Sequence, residues 1–203
     1  MPDPLIPPRH ATIVRETSET QIRLTLDLDG GPIAIATPVP FFNHMLTALA
    51  RHGRLGLEIT ATGDIEIDDH HTVEDVGIVL GQALAEAVGN KAGLARFAHA
   101  YAPMDEALAR VVLDLSGRAY IHWDAPMHAA TLGGVRLFHT DLAEEFFRAV
   151  VGNARITAHF DLIRATNDHH AIESLFKAFA LALRAATQAS GPADAIPSTK
   201  GVL

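Results

Sequence analysis

One pattern of residues occurs twice in the chain, and it constrains the fold more than any other feature. Asp-His-His-x-x-Glu stands at residues 69–74 and again at residues 168–173. Every shared residue is offset by 99 positions. Each copy opens an apolar segment with helical spacing, residues 73–88 and 171–186, so the pattern predicts two related helix N-termini.

On a helix, residues four apart lie on the same face, whereas adjacent residues point about 100° apart. In each copy, one histidine and the glutamate can therefore bind one metal ion while the other histidine reaches a second ion. The alternative is a pair of ordinary polar first turns, because Asp, His and Glu all occur at helix starts. Two copies at a fixed offset favour the metal site, and a two-metal site is the leading hypothesis.

Composition limits the chemistry of such a site. The chain contains 12 histidines and no cysteine. Disulfides and thiolate ligands are thereby excluded. A tight metal site must be built from imidazole and carboxylate groups, which suit Mn, Fe, Zn or Ni.

Charge and hydropathy also exclude several classes of function. A net charge of −8 argues against nucleic acid as the main partner. No apolar run approaches the 18 residues or so that a membrane span needs, and the N-terminus has no signal-peptide pattern. We expect a cytoplasmic protein.

Alternating apolar and polar residues predict strands, and helical spacing predicts helices. In the first half these are strands over 12–15, 21–27, 33–36 and 55–61 and helices over 41–52 and 73–88. In the second half they are strands over 98–102, 108–115, 119–123 and 155–162 and helices over 141–151 and 171–186. The fold class is α+β, an internally duplicated β-β-β-α-β-α unit with antiparallel or mixed sheets.

The two halves are predicted to span residues 1–92 and 93–190, followed by a tail over 191–203. The turn glycines Gly31 and Gly117 are offset by 86 residues, so 13 extra residues are expected in the loop over 125–139. Both motif helices are apolar nearly all round, which predicts burial on more than one side and extensive packing between subunits. A buried, unpaired charge is costly, so Glu74 and Glu173 beside that apolar surface must either pair with a cation or be exposed to solvent.

Further segments besides the two motifs carry a recognisable pattern. They are residues 15–20, 41–46, 63–68, 103–107, 114–118, 176–179 and 197–201. With these segments the chain resembles imidazoleglycerol-phosphate dehydratases, over about residues 11–203. The resemblance implies a duplicated four-strand, two-helix unit with four-stranded sheets, two Mn²⁺ ions per active site and a 24-subunit homo-oligomer. It also implies dehydration of a small phosphate substrate, imidazole glycerol phosphate, in histidine biosynthesis.

Carried over position by position, the resemblance assigns roles to individual residues. The implied metal ligands are His44, His70, His71, Glu74, His159, His169, His170 and Glu173. The implied phosphate-binding residues are Arg96, Arg118, Lys177, Ser198 and Lys200. Glu19 is the candidate base and His52 a candidate proton shuttle. Without the resemblance, Arg96, Lys177 and Glu19 would be interpreted as ordinary solvated charges.

The chain departs from the family pattern at Asn43, Ala48, Arg136, Ala165 and Thr166. The family usually has Asp at position 43, directly before His44. If that residue orients His44, the neutral amide of Asn43 supports the ligand less well, and Asn43→Asp is expected to tighten Mn²⁺ binding. The alternative is that Asn43 caps the helix over 41–52, where Asn and Asp are nearly equivalent.

Other functions remain open at this point. A dinuclear hydrolase would use the same His/Glu set to activate water. A diverged paralogue would act on another substrate. A metal-organised assembly without catalysis is a third possibility, but it gives no reason for the phosphate-binding residues.

Overall fold

A computed structural model describes residues 9–134 and 136–201, which form ten strands and four helices. The first half contains β1 (His10–Glu16), β2 (Thr20–Asp27), β3 (Ile33–Ala36), α1 (Pro40–Gly53), β4 (Gly56–Gly63) and α2 (His70–Val88). The second half contains β5 (Phe97–Met104), β6 (Ala107–Asp114), β7 (Tyr120–Asp124), β8 (Thr131–Leu132), β9 (Phe138–His139), α3 (Leu142–Ala154), β10 (Thr157–Arg164) and α4 (Asp168–Ala186).

The two halves have the same topology. One sheet has the order β1-β2-β4-β3 and the other β5-β6-β10-β7. In each, the last pair is parallel and the other pairs are antiparallel. The predicted α+β duplication with mixed sheets is confirmed. The small hairpin of β8 and β9 lies in the segment where 13 extra residues were expected.

Alternation along the strands gives each sheet one apolar face. In β2, Ile22, Leu24 and Leu26 are at most 2% exposed, while Gln21 and Arg23 lie at the surface. Residues two apart on a strand share a face, so the buried set points to one side, where α2 packs. The alternating sequence therefore fixes which side of each sheet carries the helices.

Each motif helix is covered on two sides within the chain. α2 packs on β1 and β2 and also on α3, whereas α4 packs on β5 and β6 and also on α1. One continuous core therefore joins the two halves. The all-round apolar surface that suggested subunit packing is buried within the chain, by the sheet of the same half and by a helix of the other half, so it is no evidence for partner subunits. Among the described residues, no helix is long and apolar enough to cross a membrane.

Two glycines allow α2 to approach α3 closely. A Cβ atom added at Gly77 would lie 2.7 Å from the carbonyl oxygen of Phe146. One added at Gly81 would lie 2.6 Å from the carbonyl oxygen of Val150. Real Cβ atoms do not come this close to backbone, so any side chain at these positions would push the two helices apart.

We therefore expect Gly81→Ala to lower the free energy of unfolding by about 1–3 kcal/mol, the usual cost of overpacking a core. Gly152→Ala is the matched control, because Gly152 lies in α3 with open space around its Cβ position. There, alanine should be neutral or stabilising by up to about 1 kcal/mol. Urea denaturation of both variants measures the difference. Equal stabilities would contradict the close contact.

Candidate active site

Three ligand-type side chains converge beside the start of α4. Nε2 of His169 lies 3.3 Å from Oε2 of Glu173, and Nε2 of His44, from α1, lies 3.4 Å from the same oxygen. His169 and Glu173 are four residues apart on one helix, as the motif spacing predicts. The edge contact of Phe41 with the His169 ring supports this arrangement from α1. Two imidazole nitrogens and one carboxylate oxygen thus face a common point.

The carboxylate of Glu173 is buried, with a side chain only 8% exposed. Burial by itself would raise its pKa, but Nζ of Lys177 lies 2.7 Å from Oε1, and this ion pair together with His44 lowers the pKa of Glu173 below its ordinary value. Lys177 therefore neutralises one oxygen and leaves the other to the histidines. Partial burial and the charge of Lys177 also lower the pKa of His52, at the end of α1.

A second group lies at the start of α2. The ligand atoms of Glu19, Asp64 and His71 lie within 4.8 Å of one another. Glu19 stands in the turn between β1 and β2, its side chain half exposed and its Oε2 3.9 Å from Nδ1 of His71. The structure therefore brings the candidate base to a motif histidine.

A buried carboxylate holds the turn of Glu19 in place. Asp75, 6% exposed on α2, accepts a 2.5 Å hydrogen bond from Oγ1 of Thr20 and pairs with Arg15 at 2.9 Å. These contacts fasten both sides of the turn to the helix that carries His71. Sequence reasoning missed the role of Asp75, which lies directly after the motif glutamate.

The second histidine of each motif contacts a carboxylate through Nδ1. Nδ1 of His71 lies 2.9 Å from Oδ2 of Asp64, and Nδ1 of His170 lies 2.7 Å from Oε2 of Glu106. This hydrogen bond places the proton on Nδ1 and leaves Nε2 of each ring as the free acceptor. Both carboxylates lie in segments that matched the family, but the sequence did not assign them a role.

The same hydrogen bonds shift the titration of both partners. The bond to Asp64 raises the pKa of His71, and the bond to Glu106 raises that of His170. The bond to His170, together with backbone N–H groups of Thr166 and Asn167, lowers the pKa of Glu106 to about 2. Glu106 is therefore a carboxylate throughout the pH range in which its histidine titrates.

The first aspartate of each motif anchors the extra segment of the second half. Asp168 accepts hydrogen bonds from the backbone N–H groups of His128 at 3.0 Å and Ala129 at 2.6 Å. Asp69 is paired with Arg136, one of the departures from the family pattern. The extra segment is thereby tied to the N-termini of both motif helices.

Three other proposed ligands lie apart from these groups. His70 and Glu74 form an i, i+4 pair on α2 with 3.9 Å between Nε2 and Oε2, both partly exposed. His159 lies on β10 between Ala158 and Phe160, which are buried against the helices. Because alternate residues face opposite sides of a strand, His159 points to the outer face of the sheet. The expectation that it joins the motif histidines is not met within this chain.

The proposed phosphate-binding residues separate into two places. The guanidinium of Arg96, just before β5, donates to Asp114 at 2.7 Å and to the carbonyl oxygen of Pro197 at 2.6 Å, which brings Ser198 and the tail close. Arg118 follows the end of β6, the strand that ends at Asp114, and is exposed. Lys177 instead contacts Met104, at the far end of β5. Lys200 lies exposed in the tail.

Comparison with known proteins decides the family. The family model described as imidazoleglycerol-phosphate dehydratase matches residues 37–183. The enzyme of that name from Granulibacter bethesdensis is 57% identical over 197 residues, covering 96% of this chain and 99% of the relative. The chain belongs to the imidazoleglycerol-phosphate dehydratase family. The family's enzyme from Ralstonia nicotianae is 54% identical over the same length.

Solved structures of the family agree with the fold. The crystal structure of the Staphylococcus aureus dehydratase superposes with a TM-score of 0.81 at 46% identity, covering 89% of this chain and 99% of that one. The Pyrococcus furiosus dehydratase, crystallised in complex with (S)-C348, gives 0.81 at 37% identity, covering 94% and 100%. The site has donors suited to a divalent metal, since imidazole and carboxylate ligand atoms lie within 4.8 Å of one another.

We expect Glu106→Gln to lower the pKa of His170 toward the ordinary value of 6.5 in metal-free protein, because a neutral amide no longer favours the charged ring. Asp64→Asn is the matched control and should lower the pKa of His71 but not that of His170. NMR titration of the histidine ring protons measures both. A His170 titration unchanged by Glu106→Gln would contradict the contact.

The side chain of Asn43 does not support His44, because its hydrogen bonds all go to Thr37. Its Oδ1 accepts from the N–H of Thr37 at 3.1 Å and from the hydroxyl at 2.7 Å, and its Nδ2 donates to the carbonyl oxygen at 2.9 Å. It is also not a helix cap, since α1 begins after Val39. The amide fastens the first turn of α1 to the preceding loop.

Asn43→Asp should therefore leave Mn²⁺ affinity unchanged and destabilise the fold by about 1–3 kcal/mol, because a carboxylate oxygen would face the carbonyl of Thr37. Asn90→Asp is the control, since the side-chain oxygen of Asn90 accepts from the N–H of Ala92 at 3.0 Å, a role that a carboxylate can also fill. Urea denaturation and Mn²⁺ titration give the two readouts. Tighter metal binding by Asn43→Asp would restore the original hypothesis.

Proposed function

We propose that the chain converts imidazole glycerol phosphate to imidazole acetol phosphate, the dehydration step of histidine biosynthesis. The observation that carries the proposal is the convergence of His44, His169 and Glu173 on one point, in a chain of the dehydratase family. The paired carboxylate–histidine contacts at Asp64 and Glu106 support it from both halves.

The proposed metal-binding residues belong to the two motifs, together with His44 of α1. His44, His169 and Glu173 would hold one ion, and His70, His71, Glu74 and His170 are the remaining ligands. We take both ions to be Mn²⁺, which suits octahedral sites of nitrogen and oxygen donors. Bound there, the ions would supply positive charge that stabilises the deprotonated imidazole ring.

The protein's own groups then handle the protons. Dehydration removes a hydroxyl from one carbon and a proton from its neighbour, and the enol formed rearranges to the ketone. Glu19 is half exposed and lies beside His71, so it can receive the C–H proton at its carboxylate. His52, whose pKa is lowered by partial burial and Lys177, is neutral near pH 7 and can accept or pass on a proton.

The position of the phosphate-binding residues supports a site shared between copies of the chain. Arg96 and Lys177 lie near opposite ends of β5, and the seven steps from Phe97 to Met104 span roughly 23 Å at 3.3 Å per residue. One phosphate cannot contact both residues of the same chain. We propose that Arg96, Arg118, Ser198 and Lys200 of one copy complete the site of another, within a large homo-oligomer such as a 24-mer.

The direct test is an assay of imidazole glycerol phosphate with added Mn²⁺. We expect the ketone product, loss of activity on chelation and recovery when Mn²⁺ is returned. Glu173→Gln should reduce both activity and metal content, since an amide is a poorer ligand. Glu86→Gln, an exposed position at the other end of α2, is the control. Release of free phosphate without dehydration would indicate a hydrolase instead.

Complementation tests the sharing of the site. Arg118→Ala and Glu173→Gln should each inactivate a homo-oligomer, but co-refolded or co-expressed chains should regain activity. In such a mixed oligomer, some sites combine Arg118 from a Glu173→Gln chain with Glu173 from an Arg118→Ala chain. Arg118 suits the test because it is exposed. Among residues 9–134 and 136–201 its guanidinium makes one hydrogen bond, to the carbonyl oxygen of Ser116 at 3.4 Å, so its loss should not unfold the chain. Absence of recovery in a verified mixed oligomer would place both residues in one chain's site.

A further inference from the structure

A separate cluster of metal-ligating side chains lies on the outer face of the second sheet. β7 and β10 run parallel, and their register places His122 opposite His159 and Asp124 opposite Asp161. The residues on either side of His159 on β10, Ala158 and Phe160, are buried against the helices. All four side chains therefore face away from the helices and from the motif histidines.

The geometry of the cluster matches what a metal ion needs. One ligand atom from each of His122, Asp124 and Asp161 lies within 4.8 Å of the other two. Residues two apart on a strand share a face, and directly paired residues on adjacent strands have Cβ atoms about 5 Å apart. Such a set can converge on one ion. The ring of His159 lies beside this set, with its centroid 5.5 Å from that of His122, and is the nearest candidate for a fourth donor named by the strand register.

Charge at the cluster also favours a cation. Asp124 and Asp161 stand directly opposite each other, and like charges in this position destabilise a sheet. Nε of Arg110 lies 3.0 Å from Oδ2 of Asp161 and compensates that carboxylate only. Oδ1 of Asp161 and the exposed carboxylate of Asp124 remain for a further positive charge.

We propose that His122, Asp124, Asp161 and His159 bind a divalent transition-metal ion, distinct from the ions of the proposed active site. Mixed imidazole and carboxylate donors suit Zn²⁺ and its neighbours in the first transition row. The ion cross-links β10 to β7, which is the edge strand of its sheet. It therefore stabilises the outer edge of the second half and takes no part in dehydration.

The experiment uses the full-length, Mn²⁺-loaded protein and Zn²⁺ as the probe, at a pH above the ordinary histidine pKa of about 6.5. Calorimetric titration and metal analysis after desalting give the affinity and the number of Zn²⁺ ions per chain. Wild type should retain one Zn²⁺ more than His122→Ala or Asp124→Asn. These variants should bind the ion at least ~100-fold more weakly, because loss of a metal ligand should cost more than loss of a group that only hydrogen-bonds to a ligand.

His99→Ala is the matched control. His99 is exposed on the same face and the same row of the sheet, but Val112 separates it from His159. It should retain the additional ion, and exchange of Zn²⁺ for Mn²⁺ at the motif histidines should be equal in all variants. Identical Zn²⁺ binding by wild type and His122→Ala would overturn the proposal. Dehydratase activity, measured in parallel, should be unchanged in His122→Ala and so reports separately on the proposed function.

Discussion

The candidate site depends on one buried carboxylate. Glu173 is on the inner side of α4, where a lone charge would cost several kcal/mol. Lys177, one turn later, compensates one oxygen, while the other faces His44 and His169. Because His44 comes from α1, this carboxylate also links the first helix of one half to the motif helix of the other. Packing and chemistry therefore depend on the same side chain.

The sequence predicted the architecture well, because duplication and periodicity are local signals. The motif spacing placed His169 and Glu173 on one helix face, and the alternation of apolar and polar residues predicted which face of each sheet is buried. Asp64 and Glu106 were not assigned because they reach their histidines from loops, at separations of 7 and 64 residues that no helical or strand period encodes. Only the folded chain brings those carboxylates to the rings.

Two expectations are not met within this chain, for a physical reason that they share. His159 was grouped with the motif histidines by resemblance, although the neighbours Ala158 and Phe160 face the helices and turn it outward. The apolar surfaces of α2 and α4 were attributed to partner subunits, yet each is covered by a helix of the other half. In both cases the deciding information was which surface lies against which, and that is a property of the tertiary structure.

The exchange of helix contacts between the halves bears on how such a chain could have arisen. α2 packs closely on α3 at Gly77 and Gly81, and α4 packs on α1, so each half covers only one side of its own motif helix. A half-length precursor would expose that apolar face as a monomer. It could bury the face by pairing with an identical copy, each lending its first helix to the other. Fusion of the two genes would then have made a permanent, intramolecular version of an ancient homodimer.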